Sequence, residues 1–151
     1  MFPARSRRNV LCVTRGMPTI LPGLLHRDLT EKIIGVYYDV RRELGTGFLE
    51  KVCHRAMVIA LRQAGLQVEE QVRLPVYFRG ILIGDFSADI VVNGLVLVEV
   101  KCFTVLEPRH KAQVMNYLCA CDLEVGLLFN FGAAAQFDRI AFTNERKTRR
   151  S

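Results

Sequence analysis

The chain has 151 residues, half of them hydrophobic and 24% charged, the size and composition of one globular domain rather than a disordered segment. No apolar stretch approaches the roughly 18 residues needed to span a bilayer, and the five cysteines (Cys12, Cys53, Cys102, Cys119, Cys121) include no CxxC pair. That cysteine usage fits neither a disulfide framework nor a zinc finger and points to a reducing cytoplasm.

The formal charge of +6 is unevenly spread. Residues 1–27 hold five arginines and no acid, residues 144–151 are +3, and the stretch 28–143 is −2. The reading is therefore a basic, unstructured extension over 1–27, one domain over 28–143 and a basic tail over 144–151. Pro3, Pro18 and Pro22 interrupt any amphipathic helix in the first segment, which argues against a transit peptide there. Basic ends can hold phosphate backbones without sequence preference.

From Asp28 the pattern becomes regular. Asp28 with Glu31 three residues later reads as an N-cap and capping box, Ile33, Tyr37, Val40 and Leu44 recur at helical spacing, and Gly45 stops the run. A second helix fits Phe48 to Ala64, with Leu49, Val52, Cys53, Ala56, Met57 and Ala60 on one face and Gly65 after it. The period then changes to two. LQVEEQVRLPVYF reads as a strand bent or edge-exposed at Pro75, Arg79-Gly80 as a turn, and ILIGDFSADIVV as the next strand.

Asn93-Gly94 signals a hairpin into LVLVEVK, and Pro108 opens a helix that runs to about Cys121. EVGLLFNF and QFDRIAF read as two further strands around a loop at Gly132. The order α-α-β-β-β-α-β-β implies an α/β domain, a sheet flanked by helices.

The informative segment is ADIVVNGLVLVEVK, residues 88–101. Its composition is that of a buried hairpin, yet it carries Asp89, Glu99 and Lys101. Leu97, Glu99 and Lys101 share one strand face. Where Asp89 points depends on the turn. A two-residue loop pairs Val92 with Leu95 and sends Asp89 away from Glu99; a three-residue loop Val92-Asn93-Gly94 sets Asp89 opposite Leu97 and diagonal to Glu99. Gly94 permits either.

A plain Glu99–Lys101 salt bridge on an exposed face is the ordinary explanation for such charges. Against it stands the cost of burying two carboxylates and an ammonium in an apolar run. Neighbouring carboxylates ask for a cation, and oxygen donors suit Mg²⁺ or Mn²⁺. A lysine beside that metal can activate water for phosphodiester hydrolysis.

The pattern Asp89-x9-Glu99-x-Lys101 in consecutive strands resembles the core of the PD-(D/E)XK nuclease superfamily, with Ala88 where proline is common. GFLEKVC (Gly47 to Cys53) resembles the GxxExxY signature of a small bacterial family within it, except that Cys53 stands in place of the tyrosine. LPVYFRGILIGDFSAD resembles the segment leading to that family's aspartate, and HKAQVMNYL the helix carrying its Q-x3-Y pair, here Gln113 and Tyr117. The likeness spans residues 29 to 142.

It implies a restriction-endonuclease-like core with a mixed sheet, and a Mg²⁺- or Mn²⁺-dependent nuclease acting on nucleic acid, DNA rather than RNA. Asp89 and Glu99 would hold the metal with Glu50 and the Val100 carbonyl, Lys101 would position or deprotonate water, and Gln113 and Tyr117 would orient Lys101 or contact phosphate. His110, one turn before Gln113, is read as a surface residue, and Cys119 and Cys121 as core thiols. The alternative is a catalytically weak nucleic-acid-binding or protein-interaction module that keeps the fold.

Overall fold

The computed structural model describes residues 25–147. Of the expected extension over residues 1–27, residues 1–24 lie outside them, as do the last four residues, while Leu25 is buried and Arg27 opens the first helix. The elements follow the expected order: α1 (Arg27–Leu44), α2 (Glu50–Gln63), β1 (Val68–Phe78), β2 (Ile81–Val92), β3 (Val96–Lys101), α3 (Pro108–Cys119), β4 (Val125–Asn130), β5 (Gln136–Ala141) and a 3-10 turn (Asn144–Arg146). The strands form one sheet in the order β1-β2-β3-β4-β5. It is mixed, because β3 and β4 run parallel around the α3 crossover while every other pair is antiparallel.

Two cores sandwich the sheet. Ile33 and Tyr37 of α1 and Met57 and Leu61 of α2 pack on Val96, Val98, Val100, Val125, Leu127 and Phe129. On the opposite face Val114 and Leu118 of α3 pack on Val91, Leu97, Leu128 and Ile140. Both central strands are thus buried on each side, which is why β3 and β4 read as near-continuous apolar runs. Pro75 is on the edge strand, the position in a sheet where a missing N–H is tolerated.

The helix starts depart from the sequence reading. Asp28 does not cap α1; the N-cap is His26, left-handed at φ 53°, with no side-chain cap bond. Glu31 instead pairs with Arg27 on the exposed face. The cause is tertiary: Leu25 is buried, and Arg139 holds its carbonyl at 2.6 Å, so the chain turns into the helix two residues early. In α2 the buried face is Cys53, Met57, Val58 and Leu61, whereas Leu49 occupies the N-cap and is 67% exposed. At the other end of the chain, Asn144 and Lys147 bond back to Glu124 and to the Cys121 and Leu123 carbonyls.

The β2–β3 turn is neither of the two expected ones. Its loop is Asn93-Gly94-Leu95, with Val92 paired to Val96. Asn93 and Gly94 are both left-handed (φ 51° and 60°), and the Leu95 N–H closes the turn on the Val92 carbonyl. Gln67 fixes this choice, since its N–H donates to the Asn93 side chain and its carbonyl accepts the Asn93 N–H. The resulting register sets Asp89 directly opposite Glu99.

Asp89 also marks a break in alternation. Phe86 and Ala88 belong to the α3-side core, whereas Ile90 and Val92 belong to the α1/α2 side. The facing strand switches likewise between Val68 and Val72, across Gln71 at φ 50°. The β1–β2 hairpin therefore coils through the sheet plane at Asp89.

Two glycines hold close approaches. A Cβ on Gly126 would meet Val114 Cγ1 at 2.5 Å, and one on Gly132 would lie 1.7 Å from the Phe103 carbonyl oxygen. Gly126→Ala is expected to cost about 1–3 kcal/mol in urea unfolding through overpacking of α3 on β4. Gly132→Ala should cost more, since backbone rather than a side chain must give way. Gly35→Ala, where the added methyl meets nothing within 4 Å, should stabilise by about 0.5–1 kcal/mol as a helix-interior replacement. Equal losses at all three positions would contradict this packing.

Candidate metal and catalytic site

The β2–β3 ladder stops at Ile90–Val98. Beyond it side chains replace backbone. The Asp89 N–H donates to Glu99 Oε1 at 3.0 Å, and the Val100 N–H donates to Asp89 Oδ2 at 3.2 Å. Each carboxylate thereby satisfies a backbone donor of the opposite strand and is fixed in orientation by it.

Glu99 is 2% exposed. Burial, reinforced by the adjacent Asp89 carboxylate, pushes its pKa up to about 8. The simple salt bridge is not formed: among the described residues Lys101 makes no ion pair, although its charge lowers the pKa of both Glu99 and Glu50. Lys101 ends β3, half-buried, with its carbonyl accepting the Phe131 N–H at 2.7 Å.

Glu50 is the first residue of α2. Burial raises its pKa, Lys101 lowers it and Asp89 raises it, so its carboxyl senses both groups. It does not close a tight cluster, however. Among the described residues no group of three or more His, Cys, Asp and Glu side chains is assembled to hold a metal. The close donor set is Asp89 and Glu99, with the Val100 peptide held beside them.

From the other side α3 contributes the expected pair. Gln113 Nε2 donates to the Tyr117 hydroxyl at 2.9 Å, which leaves the phenol proton available to a further acceptor. Tyr117 is raised above the usual tyrosine pKa by burial first and then by the Glu99 carboxylate, with Asp89 adding to it. The Gln113–Tyr117 pair thus faces the two carboxylates.

His110 departs from its surface reading. It is buried, stacks on Phe103 with ring centroids 4.3 Å apart, and accepts the Glu107 N–H on Nδ1, which closes the first turn of α3. Burial lowers its pKa, so the neutral form dominates. Cys121 is a core thiol as expected, while Cys119 is only partly buried.

Two features gave no sequence signal. Buried Asn130 accepts the Phe103 and Gly132 N–H groups and donates to the Phe103 and Ala134 carbonyls, tying the segment after Lys101 to the segment after β4. Cys53 and Cys102 lie with sulfurs 3.6 Å apart. Burial and the neighbouring Cys53 push the Cys102 thiol up to about 12.

Two opposed carboxylates, one of them buried, form a donor set short of positive charge that a hard divalent cation would complement. The folded pKa of Glu99 is raised, so the folded state binds its proton more tightly than the unfolded chain. That stabilisation is present below about pH 4.5 and is lost as pH rises towards about 8. The melting temperature of the metal-free protein should therefore fall between pH 5 and pH 8. Mg²⁺ or Mn²⁺, competing with the proton, should raise it at pH 8 far more than at pH 5. Glu99→Gln should flatten both effects in differential scanning fluorimetry. A cation effect independent of pH and unchanged by Glu99→Gln would rule out this site.

The comparisons with known proteins bear on fold and family. No curated protein matches the chain. Among solved structures, the crystal structure of SSO0001 is similar at a TM-score of 0.51 and 17% identity, over 81% of this chain. The chain covers 62% of that protein's length, and at this identity the likeness concerns the fold alone. A family model described as PD-(D/E)XK nuclease superfamily matches residues 27–140, most of the chain and every site residue named above. The chain belongs to the PD-(D/E)XK nuclease superfamily.

Proposed function

We propose that the protein is a divalent-metal-dependent nuclease that hydrolyses phosphodiester bonds in DNA, in preference to RNA, and that it is a member of the GxxExxY group. The observation that carries the reading is the mutual fixing of Asp89 and Glu99 at the end of the β2–β3 ladder, with Lys101 next on the same strand face. The group assignment rests on the Gly47–Cys53 and Gln113–Tyr117 motifs, and the preference for DNA on the same resemblance.

Asp89 and Glu99, with the Val100 carbonyl, would hold Mg²⁺ or Mn²⁺, and Glu50 would join through water or on substrate binding. When bound, the cation supplies Lewis-acid stabilisation of charge on the phosphate oxygens. Lys101, on no competing ion pair, holds the attacking water or accepts its proton and offsets negative charge in the transition state. Tyr117, with its oxygen already accepting from Gln113, has its own proton to donate to a phosphate oxygen or to Glu99. An open cavity of about 600 Å³ adjoins this pair, lined by Phe86, Met115 and Asn116 as well.

Lys101→Ala should lower cleavage of DNA by about 10²-fold or more, with binding little changed, because the group acts mainly in the transition state. Asp89→Asn should lose cleavage and the response to the cation together. The measurement is Mg²⁺- and Mn²⁺-dependent cleavage of single- and double-stranded DNA and RNA. Undiminished cleavage by Lys101→Ala would sink the assignment, and tight binding without cleavage of any substrate would leave a binding module on the same fold.

A further inference from the structure

The Cys53–Cys102 contact is not used by the chemistry above, yet it lies close to Glu50 and Lys101 in the chain and within electrostatic reach of Glu50. Cys53 follows Glu50 by one turn of α2, on the same face. Cys102 directly follows Lys101 at the end of β3. The two positions are 49 residues apart in sequence and their sulfurs 3.6 Å apart in space. Cys53 is sealed at 1% exposure, whereas Cys102 is partly open to solvent. One sulfur can thus be reached by a small oxidant, and the other can reach only its neighbour.

We propose that Cys53 and Cys102 are a modification site, closing reversibly to a disulfide that lowers the activity of the adjacent site; the effect on activity rests on the nuclease reading. The oxidant class is a small disulfide such as oxidised glutathione. The Cys102 sulfur attacks it, the glutathione S–S bond breaks, a mixed disulfide forms on Cys102 and one glutathione leaves as a thiol. The Cys53 sulfur then attacks the Cys102 sulfur and displaces the second glutathione. The protein gives up two protons and two electrons, and oxidised glutathione becomes two thiols.

Closing the sulfurs from 3.6 Å to a bond of about 2.05 Å draws the first turn of α2 towards the end of β3. Glu50 and Lys101 flank the pair, so both are displaced relative to the fixed Asp89–Glu99 carboxylates. Misplacement of catalytic groups by about 1 Å is enough to cost about 10²-fold in rate. The disulfide form is the less active one.

The test equilibrates the full chain anaerobically in glutathione buffers of rising oxidised fraction, for hours because Cys102 is held as a thiol. Aliquots are alkylated for mass mapping and assayed for Mg²⁺-dependent DNA cleavage. The expected result is a Cys53–Cys102 linked peptide, a fall in cleavage of about tenfold or more, and recovery on reduction. Cys53→Ser and Cys102→Ser should each abolish the linked peptide and the oxidant sensitivity, while Cys119→Ser with Cys121→Ser should abolish neither.

Both thiols free in the most oxidising buffer, glutathione retained on Cys102 alone, or a linked form that cleaves as fast as the reduced one would each overturn the proposal. Should the reduced protein cleave nothing, the nuclease reading has failed on its own account. The linked peptide then still decides the disulfide, and the Mn²⁺-induced rise in melting temperature, lost or kept on oxidation, decides whether it disturbs the site.

Discussion

The two bonds by which Asp89 and Glu99 each hold a backbone N–H of the opposite strand are the constraint on which this molecule turns. The β2–β3 ladder ends at Ile90–Val98, and buried donors beyond that point would be left without partners. The carboxylates fill that role at 3.0 and 3.2 Å. The same two bonds hold like charges together under an apolar sheet face, which the raised Glu99 pKa records. Structural closure of the hairpin and the electrostatic tension of the site are one feature.

What surrounds these residues serves to hold them still. The hairpin coils at Gln71 and Asp89, so β2 can pack its Phe86 end under α3 and its Val92 end under α1 and α2. Gly126 lets α3 close on β4, which sets Tyr117 over the carboxylates. Lys101 pairs with Asn130 across the parallel strands, and Asn130 is saturated with bonds to both following loops. From the far side Tyr37 and Arg41 of α1 hold the Asn130 and Gly132 carbonyls. Lys101 thus sits on an element end fixed from several directions, the kind of support a positioned group requires.

The elements were legible because their signals are local. Periodicity found all eight, and Gly45, Gly65, Pro108 and Asn93-Gly94 punctuated them where the chain does turn. The errors were tertiary. Asp28 has the chemistry of a cap, but Arg139 holding the Leu25 carbonyl decides the helix start. The hairpin register was undetermined because Gln67, 26 residues from Asn93, sets it. Charges buried in an apolar strand pointed to the site, since such burial has a cost that demands an explanation. Asn130 and the Cys53–Cys102 contact carried no such signal, because a polar residue after a strand and two scattered thiols are ordinary in sequence.

The charge partition gains meaning from the site. The stretch 28–143 is −2 overall, an odd endowment for a domain meant to meet a polyanion. Glu50, Asp89 and Glu99 outnumber Lys101, so the fully ionised site repels phosphate. A proton on Glu99 removes part of that repulsion, and burial beside Asp89 favours that protonated form. Under the proposed function, a divalent cation held by Asp89 and Glu99 would take the place of that proton and bring the site near neutrality, leaving Lys101 to face substrate. Cation loading and substrate binding are then coupled through the same carboxylates. Under the proposed function, the acidic core would gate affinity for nucleic acid on the presence of the metal, and its charge does not argue against nucleic acid as the substrate.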